Sequence, residues 1–289
     1  EMPKMNGISF LKKLMSYHPI PTVMVSSLTK AGSKATLQAL EIGAIDFVAK
    51  PSANSLGVEE LISELHYKIL AASTANIIKP SRSDAAQPLV RIVKPSSVQH
   101  FNNKIIAIGA STGGTEALKD VLVQMPDNSP GIVIVQHMPE VFTKYFAERL
   151  DKLSALNVIE AEDGMIVKPG TALIAPGDFH MEVIKNNSNY CVRTFKAEKV
   201  NRHRPSVEVL FNSVAKCASS NSVGVIMTGM GGDGAQGLLN MKNSGAKTIA
   251  QDEASCVVFG MPKEAIKIGA ADKIVPLLKI PETIFACLG

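Results

Sequence analysis

The chain has 289 residues, 46% of them hydrophobic and 19% charged, with a formal net charge of +4. That is length for about two domains with a sizeable core. It holds no apolar run of about 20 residues that could cross a membrane, and its charge is too mild to argue by itself for nucleic acid. The four cysteines, Cys191, Cys217, Cys256 and Cys287, lack C-x-x-C spacing, which fits a reduced, cytoplasmic protein without structural zinc. The first residues have no apolar h-region, so they do not read as a signal peptide, nor do they read as a natural start.

Residues 1–75 alternate helix and strand. An amphipathic helix runs from Gly7 to about Tyr17, a buried strand covers Pro21 to Ser26, and a helix from Lys30 to Ile42 is stopped by Gly43. A second strand, Ile45 to Ala49, precedes Lys50-Pro51, and a further helix spans Val58 to Ala72. Strands separated by helices predict parallel pairing with right-handed crossovers. From about Ile77 to Asn103 the chain turns Pro/Ser-rich and polar, with Val90, Ile92 and Val93 a short apolar island. That composition reads as an interdomain linker. The expected organisation is a first domain over 1–75, a linker over 76–103 and a second domain over 104–289.

The second domain restarts the alternation. Ile105 to Ile108 read as a buried strand, Gly109 to Gly114 as a tight turn, and Thr115 to Met125 as a helix. Strands are expected at 131–137, 171–175, 189–194, 222–228 and 246–250. Helices are expected at 141–150, 206–217, from the Gly229–Gly234 turn through Met241, and at 262–268. The expected fold is α/β, with a doubly wound, mostly parallel sheet in the second domain.

Ser111 lies on a strand-to-helix turn, where an α/β fold presents a nucleophile near helix N–H groups. Three readings of that turn stand side by side. It is a Gly-rich loop with an incidental serine, an anion cradle, or a nucleophile in Gly109-Ala-Ser-Thr-Gly113, which fits G-x-S-x-G. The second lacks the G-x-x-x-x-G-K-[ST] and G-x-G-x-x-G patterns. The third needs a base and an acid from elsewhere. His137 ends an apolar strand, and Asp233 lies on the Gly-rich turn beyond Thr228. In a parallel sheet these ends share one edge, so a serine, a histidine and an aspartate could meet there. Asp233 could equally cap the helix after its turn. His203, between Arg202 and Arg204, is the rival base, though that cluster reads better as contact with an acidic partner. Thr112, through its hydroxyl or N–H, and the backbone N–H of Met230 could face an oxyanion, or both residues could be purely structural.

Two blocks carry a resemblance. Residues 1–7, Met24-Val-Ser-Ser-Leu-Thr29 and Gly43-Ala-Ile-Asp-Phe-Val-Ala-Lys-Pro51 resemble the second half of a response-regulator receiver, a flavodoxin-like fold. In that family a serine or threonine ending the fourth strand and a lysine ending the fifth contact the phosphoryl group; Ser26 and Lys50 match them. The acceptor aspartate, which normally lies two residues before the position of Glu1, is absent with the acidic pair of the first strand, and Asn6 stands where many receivers have aspartate. The expectation is a partial, loosely held receiver that does not respond to phosphodonors. The Mg2+ site of the complete family is not expected to function in it.

The second domain resembles the catalytic domain of CheB-type chemotaxis protein-glutamate methylesterases, through Ile108-Gly-Ala-Ser-Thr-Gly-Gly-Thr115, Gln136-His-Met-Pro139, Arg202-His-Arg-Pro-Ser206 and Met227-Thr-Gly-Met-Gly-Gly-Asp-Gly-Ala235 in order. The resemblance implies a Ser111–His137–Asp233 triad that hydrolyses glutamate γ-methyl esters, and deamidates selected glutamines, on the cytoplasmic helices of bacterial chemoreceptors. It implies no metal or organic cofactor in the catalytic domain, and activation when the chemotaxis histidine kinase phosphorylates the receiver. Those helices are rich in Glu and Gln, so Arg202 and Arg204 become expected substrate contacts. The expected protein is monomeric. Two further classes stay open: a non-catalytic phosphate-binding regulator that uses the same Gly-rich turns, and a signalling adaptor.

Overall fold

The structure, a computed structural model, describes residues 4–27, 29–50, 57–76, 101 and 103–288. The expected linker falls almost wholly outside these residues, as do Pro51 and the island of Val90, Ile92 and Val93. The chain divides into two compact units, Glu1–Pro88 and Leu89–Gly289.

The first unit contains α1 (Gly7–Tyr17), β1 (Val23–Ser27), α2 (Lys30–Ile42), β2 (Asp46–Lys50) and α3 (Val58–Ser73). Its two strands pair in parallel, with Ser26 opposite Ala49 and Ser27 opposite Lys50. Local chemistry sets the helix ends. The Asn6 side chain accepts the Ser9 N–H to start α1, and the Thr29 hydroxyl accepts the Gly32 N–H to start α2. Gly43, at φ +118°, ends α2 by turning its own N–H and that of Ala44 back onto Leu40 and Ala39. Lys68 of α3 ties that helix to β2 through Asp46 and to its own turn through Glu64, each at 3.1 Å. Burial alone would lower the Lys68 pKa; the two carboxylates outweigh it and hold the ammonium above its ordinary value.

The second unit continues with β3 (Ile105–Ala110), α4 (Gly114–Leu122), β4 (Gly131–Gln136), α5 (Phe142–Leu153), β5 (Asn157–Glu160), β6 (Thr171–Ile174), β7 (His180–Asn186) and β8 (Asn189–Phe195). After these come α6 (Val207–Cys217), β9 (Ser222–Ile226), α7 (Ala235–Asn243), β10 (Lys247–Gln251), α8 (Met261–Lys267), β11 (Lys273–Val275) and α9 (Ile280–Leu288). Seven strands form one wholly parallel sheet in the order β11-β10-β9-β3-β4-β6-β5. β7 and β8 form a separate antiparallel hairpin. Every residue of β3, β4 and β9 is buried, as expected for central parallel strands covered on both faces. Met181, Val183, Tyr190 and Val192 of the hairpin share one core with Val207, Leu210, Phe211 and Val214 of α6. Each such side chain contributes about 1.5–3 kcal/mol by leaving water.

The topology decides where a site can form. From β3 the chain first adds strands towards β5, then crosses back to place β9 on the other side of β3. The strand order therefore reverses between β3 and β9. In open α/β sheets, crevices form at the carboxyl ends of strands at such a reversal. Ser111 follows β3, His137 follows the neighbouring β4, and the turn bearing Asp233 follows β9.

Candidate active site

Ser111 is held at its backbone from three directions. Its N–H donates to the Thr228 carbonyl at 3.0 Å, and its carbonyl accepts the Gly114 N–H at 2.7 Å and the Gln136 Nε2 at 2.9 Å. Gly113 completes the turn at φ +78°, where a β-carbon would also lie 2.5 Å from the Cβ of Val257. Only glycine satisfies both conditions. The serine is thus pinned by the sheet and the turn through its backbone alone, and its hydroxyl takes no part in those bonds.

His137 donates its N–H to the Ala110 carbonyl, which continues the β3–β4 ladder by one residue. Its Nδ1 lies 3.0 Å from the Ser111 Oγ and its Nε2 lies 2.8 Å from the Asp233 Oδ2. With Asp233 ionised, Nε2 carries the hydrogen and Nδ1 is left as the acceptor for the serine hydroxyl.

Asp233 is almost fully buried. Besides His137, it accepts the Asn201 Nδ2 at 2.9 Å, the Ser206 hydroxyl at 2.7 Å and the backbone N–H groups of Val207 and Glu208 at 2.7 and 3.3 Å. Asp233 does cap a helix, but that helix is α6 rather than α7, which follows its own turn. Burial pushes its carboxyl pKa up; the hydrogen bond and charge of His137, with Asn201 and Ser206, outweigh this and hold it well below the usual carboxylate range. An anion at a helix N-terminus gains from the aligned peptide dipoles as well.

His203, the rival base in the sequence, is stacked on His137. Its ring lies flat on that of His137, with centroids 3.7 Å apart and 10° between the planes. Of the two neighbouring arginines, Arg204 is committed: its Nε donates to the Asp178 Oδ1 at 2.9 Å, and its terminal nitrogens reach Asp178 and the Ala197 carbonyl. Arg204, expected with Arg202 as a substrate contact, thus has an internal partner, whereas Arg202 is exposed. Thr112 is buried, and its carbonyl accepts the Thr228 hydroxyl at 3.0 Å. Met230 is half-buried on the turn after β9. In the first unit, Ser26 is half-buried near the end of β1 and donates to the Gly32 carbonyl, and Lys50 is exposed at the end of β2.

Three supports went unassigned in the sequence. Gln136 was legible only as a polar residue closing a buried strand. Ser206 precedes the apolar face of α6, which is an N-cap signal. Asn201 carried no signal beyond its place in the Arg/His cluster. Burial pushes the Cys217 thiol up to about 11, and burial with Asp252 and Glu253 pushes Cys256 up to about 12, which disfavours a thiolate at either. Among the described residues, no group of three or more His, Cys, Asp or Glu is placed to hold a metal ion, and no helix is long and apolar enough to cross a membrane.

The family model for the CheB methylesterase matches residues 106–284. A protein-glutamate methylesterase/protein-glutamine glutaminase 2 from Syntrophus aciditrophicus is 54% identical over 284 residues, covering 98% of this chain and 82% of that protein. A protein-glutamate methylesterase/protein-glutamine glutaminase from Nitrosomonas europaea is 54% identical over 293 residues, covering 100% of this chain and 81% of its own length. The crystal structure of the Thermotoga maritima CheB methylesterase catalytic domain aligns with TM-score 0.62 and 46% identity, covering 64% of this chain and 98% of that domain.

Proposed function

The chain belongs to the CheB methylesterase family, and from that membership we infer that it hydrolyses protein glutamate γ-methyl esters, and deamidates glutamines, through an acyl-enzyme on Ser111. The observation that carries the Ser111 assignment is the hydrogen-bonded line from the Ser111 Oγ through both nitrogens of His137 to Asp233, at 3.0 and 2.8 Å.

Ser111 attacks the γ-carbonyl while His137 Nδ1 takes the hydroxyl proton. Asp233 stabilises the imidazolium that forms and fixes the ring's tautomer. As the tetrahedral intermediate collapses, the bond to the methoxy group breaks and Nδ1–H protonates it, so methanol leaves; from a glutamine side chain, ammonia leaves. Water then adds to the acyl carbonyl, gives its proton to Nδ1, and Ser111 departs with that proton as glutamate is released. The Ser111 N–H already donates to Thr228, so the oxyanion draws on the adjoining turns. Thr112, next to the nucleophile, and Met230, next to the turn glycine that packs on Ser111, are the residues assigned to it.

The family acts on chemoreceptors in chemotaxis, and the substrates assigned here are the methylated cytoplasmic helices of those receptors, with the enzyme working in the cytoplasm. Arg202 and Arg204 are the contacts assigned to their acidic side chains, Arg202 the more open of the two. The first unit is assigned as part of a receiver, with Ser26 and Lys50 at its switch positions; the chemotaxis histidine kinase is the partner of the full-length family. A non-catalytic phosphate-binding role for the same turns is not favoured, since these relatives are named as enzymes. The direct test treats the full chain with a serine-reactive phosphonate and maps the adduct by mass spectrometry. Label on Ser111 together with loss of methanol release from methylated receptor membranes is the expected result; retained activity without label overturns it.

A further inference from the structure

The segment between β8 and α6 folds back on itself at Val200 and His203. The Val200 N–H donates to the His203 carbonyl at 3.1 Å, and the His203 N–H returns to the Val200 carbonyl at 2.9 Å. Asn201 and Arg202 are the two central residues of this tight turn, at φ +51° and +71°. Two left-handed central residues mark the hairpin turn that matches strand twist. Asparagine adopts that conformation readily, but arginine does so at a cost, and such strain persists where surrounding contacts over-determine it.

Two of those contacts reach the triad. Asn201 donates to the Asp233 Oδ1 at 2.9 Å, and the His203 ring covers one face of the His137 ring at 3.7 Å. We propose that this turn is a clamp on the reaction's base and that His203 is its positioning residue, holding the His137 imidazole in the plane in which it meets Ser111 and Asp233 at once. The inference rests on the triad reading above. Hydrogen bonds at Nδ1 and Nε2 fix the ring at two edge atoms but leave its plane soft to tilting about the line between them. A flat ring parallel to it removes that freedom and keeps water from that face. Asn201 meanwhile donates to Asp233 Oδ1 while His137 uses Oδ2, so the imidazole and its carboxylate partner are both held by one four-residue element. Reactions that depend on an oriented hydrogen bond lose about 100-fold for a displacement of about 1 Å.

The test is steady-state kinetics of methanol release by the full chain carrying His203→Ala or His203→Phe, with phosphonate labelling of the unsubstituted chain alongside. The alanine variant should lose kcat by about 10- to 100-fold with KM within about twofold. The phenylalanine variant, which restores a flat ring, should recover kcat to within about threefold of the unsubstituted chain. A fully active alanine variant overturns the clamp. So does a folded phenylalanine variant no better than alanine, or a loss confined to KM, which would move His203 to substrate contact. If the alanine variant fails to fold, the phenylalanine variant decides by the same kcat criterion. Failure of the phosphonate to label Ser111 strikes the triad reading instead, whereas labelling with an indifferent His203 strikes only the clamp.

Discussion

A β-carbon on Gly229 would stand 2.7 Å from the Cβ of Ser111 and 2.4 Å from the sulfur of Met261. The turn after β9 thus packs bare backbone against Ser111. It cannot readily retreat, because the Gly229 carbonyl accepts the N–H groups of Gly260 and Met261 at 3.0 and 2.8 Å. Gly229→Ala must therefore move Ser111 or Met261. The expected outcome is a stability loss of about 1–3 kcal/mol and a fall in methanol release of about 100-fold, read by denaturant unfolding and by rate. A variant with unchanged rate would show that the serine tolerates displacement.

Ser111→Ala tests the opposite case, chemistry lost with structure kept. The three backbone hydrogen bonds that hold position 111 do not involve the hydroxyl. Rate should fall by on the order of 10⁴ or more, with the unfolding transition close to that of the unsubstituted chain. Near-normal methanol release would remove Ser111 from the mechanism.

Asp233→Asn should be far more damaging than His203→Ala. An asparagine places an amide where the carboxylate accepts both the His137 Nε2–H and the Val207 N–H, and it favours the imidazole tautomer that turns a hydrogen towards Ser111. A loss of about 10⁴ in rate is the magnitude for that kind of change. The reverse ranking of the two variants would make His203 the base.

The same carboxyl sets an acid sensitivity whose sign is fixed. Its folded pKa lies below the ordinary carboxylate value, so its contribution to stability is complete above the unfolded value of about 3.9 and is lost as pH falls through the folded one. The gap in unfolding free energy between the unsubstituted chain and Asp233→Asn should hold at pH 6 and narrow steadily below about pH 4. Urea titrations at pH 6, 4 and 3 would read it, and a gap that widens on acidification would contradict the assignment.

The parallel core and the meeting of Ser111, His137 and Asp233 were legible because β3, β4 and β9 are continuous apolar runs that end abruptly in Ser111, His137 and the Asp233 turn. Strand ends of a parallel sheet share an edge, so pattern alone could suggest their meeting. The elements not anticipated have weak periodicity. β5 carries only Val158 and Ile159 as apolar residues, β11 is three residues long, and β7 mixes His180, Glu182 and Lys185 into its alternation. α9 opens on Ile280-Pro281 and is only nine residues long. The second set of partners around the triad was hidden for a different reason. Asn201, Ser206 and Gln136 act through contacts spanning 25 to 32 residues of sequence, and no local pattern encodes those. The stack of His203 on His137 was likewise invisible in the sequence.

Arg202 and Arg204 make the last prediction, since sequence treated them alike and structure does not. Arg204 ties the β8–α6 segment to Asp178, a non-glycine residue at φ +63° that also takes Lys196 at 2.9 Å. Burial pulls the Asp178 carboxyl up, but Lys196 and Arg204 hold it below its ordinary value. Arg204→Ala should therefore act on the local structure, and because the pair is partly open to solvent the stability loss should be small, about 0.2–1 kcal/mol. Arg202 stands exposed at the tip of the turn whose His203 stacks on His137. There it can attract a Glu-rich helix without being needed for the fold. Arg202→Ala should leave unfolding unchanged and raise KM several-fold at low salt, with the difference shrinking as ionic strength rises, since exposed charges are screened over about 8 Å at physiological salt. Methanol release measured across a salt series, with a melting curve for each variant, separates the two. If Arg204→Ala raises KM without loss of stability while Arg202→Ala leaves KM unchanged at low salt, the substrate contact belongs to Arg204 and its bond to Asp178 is broken when substrate arrives.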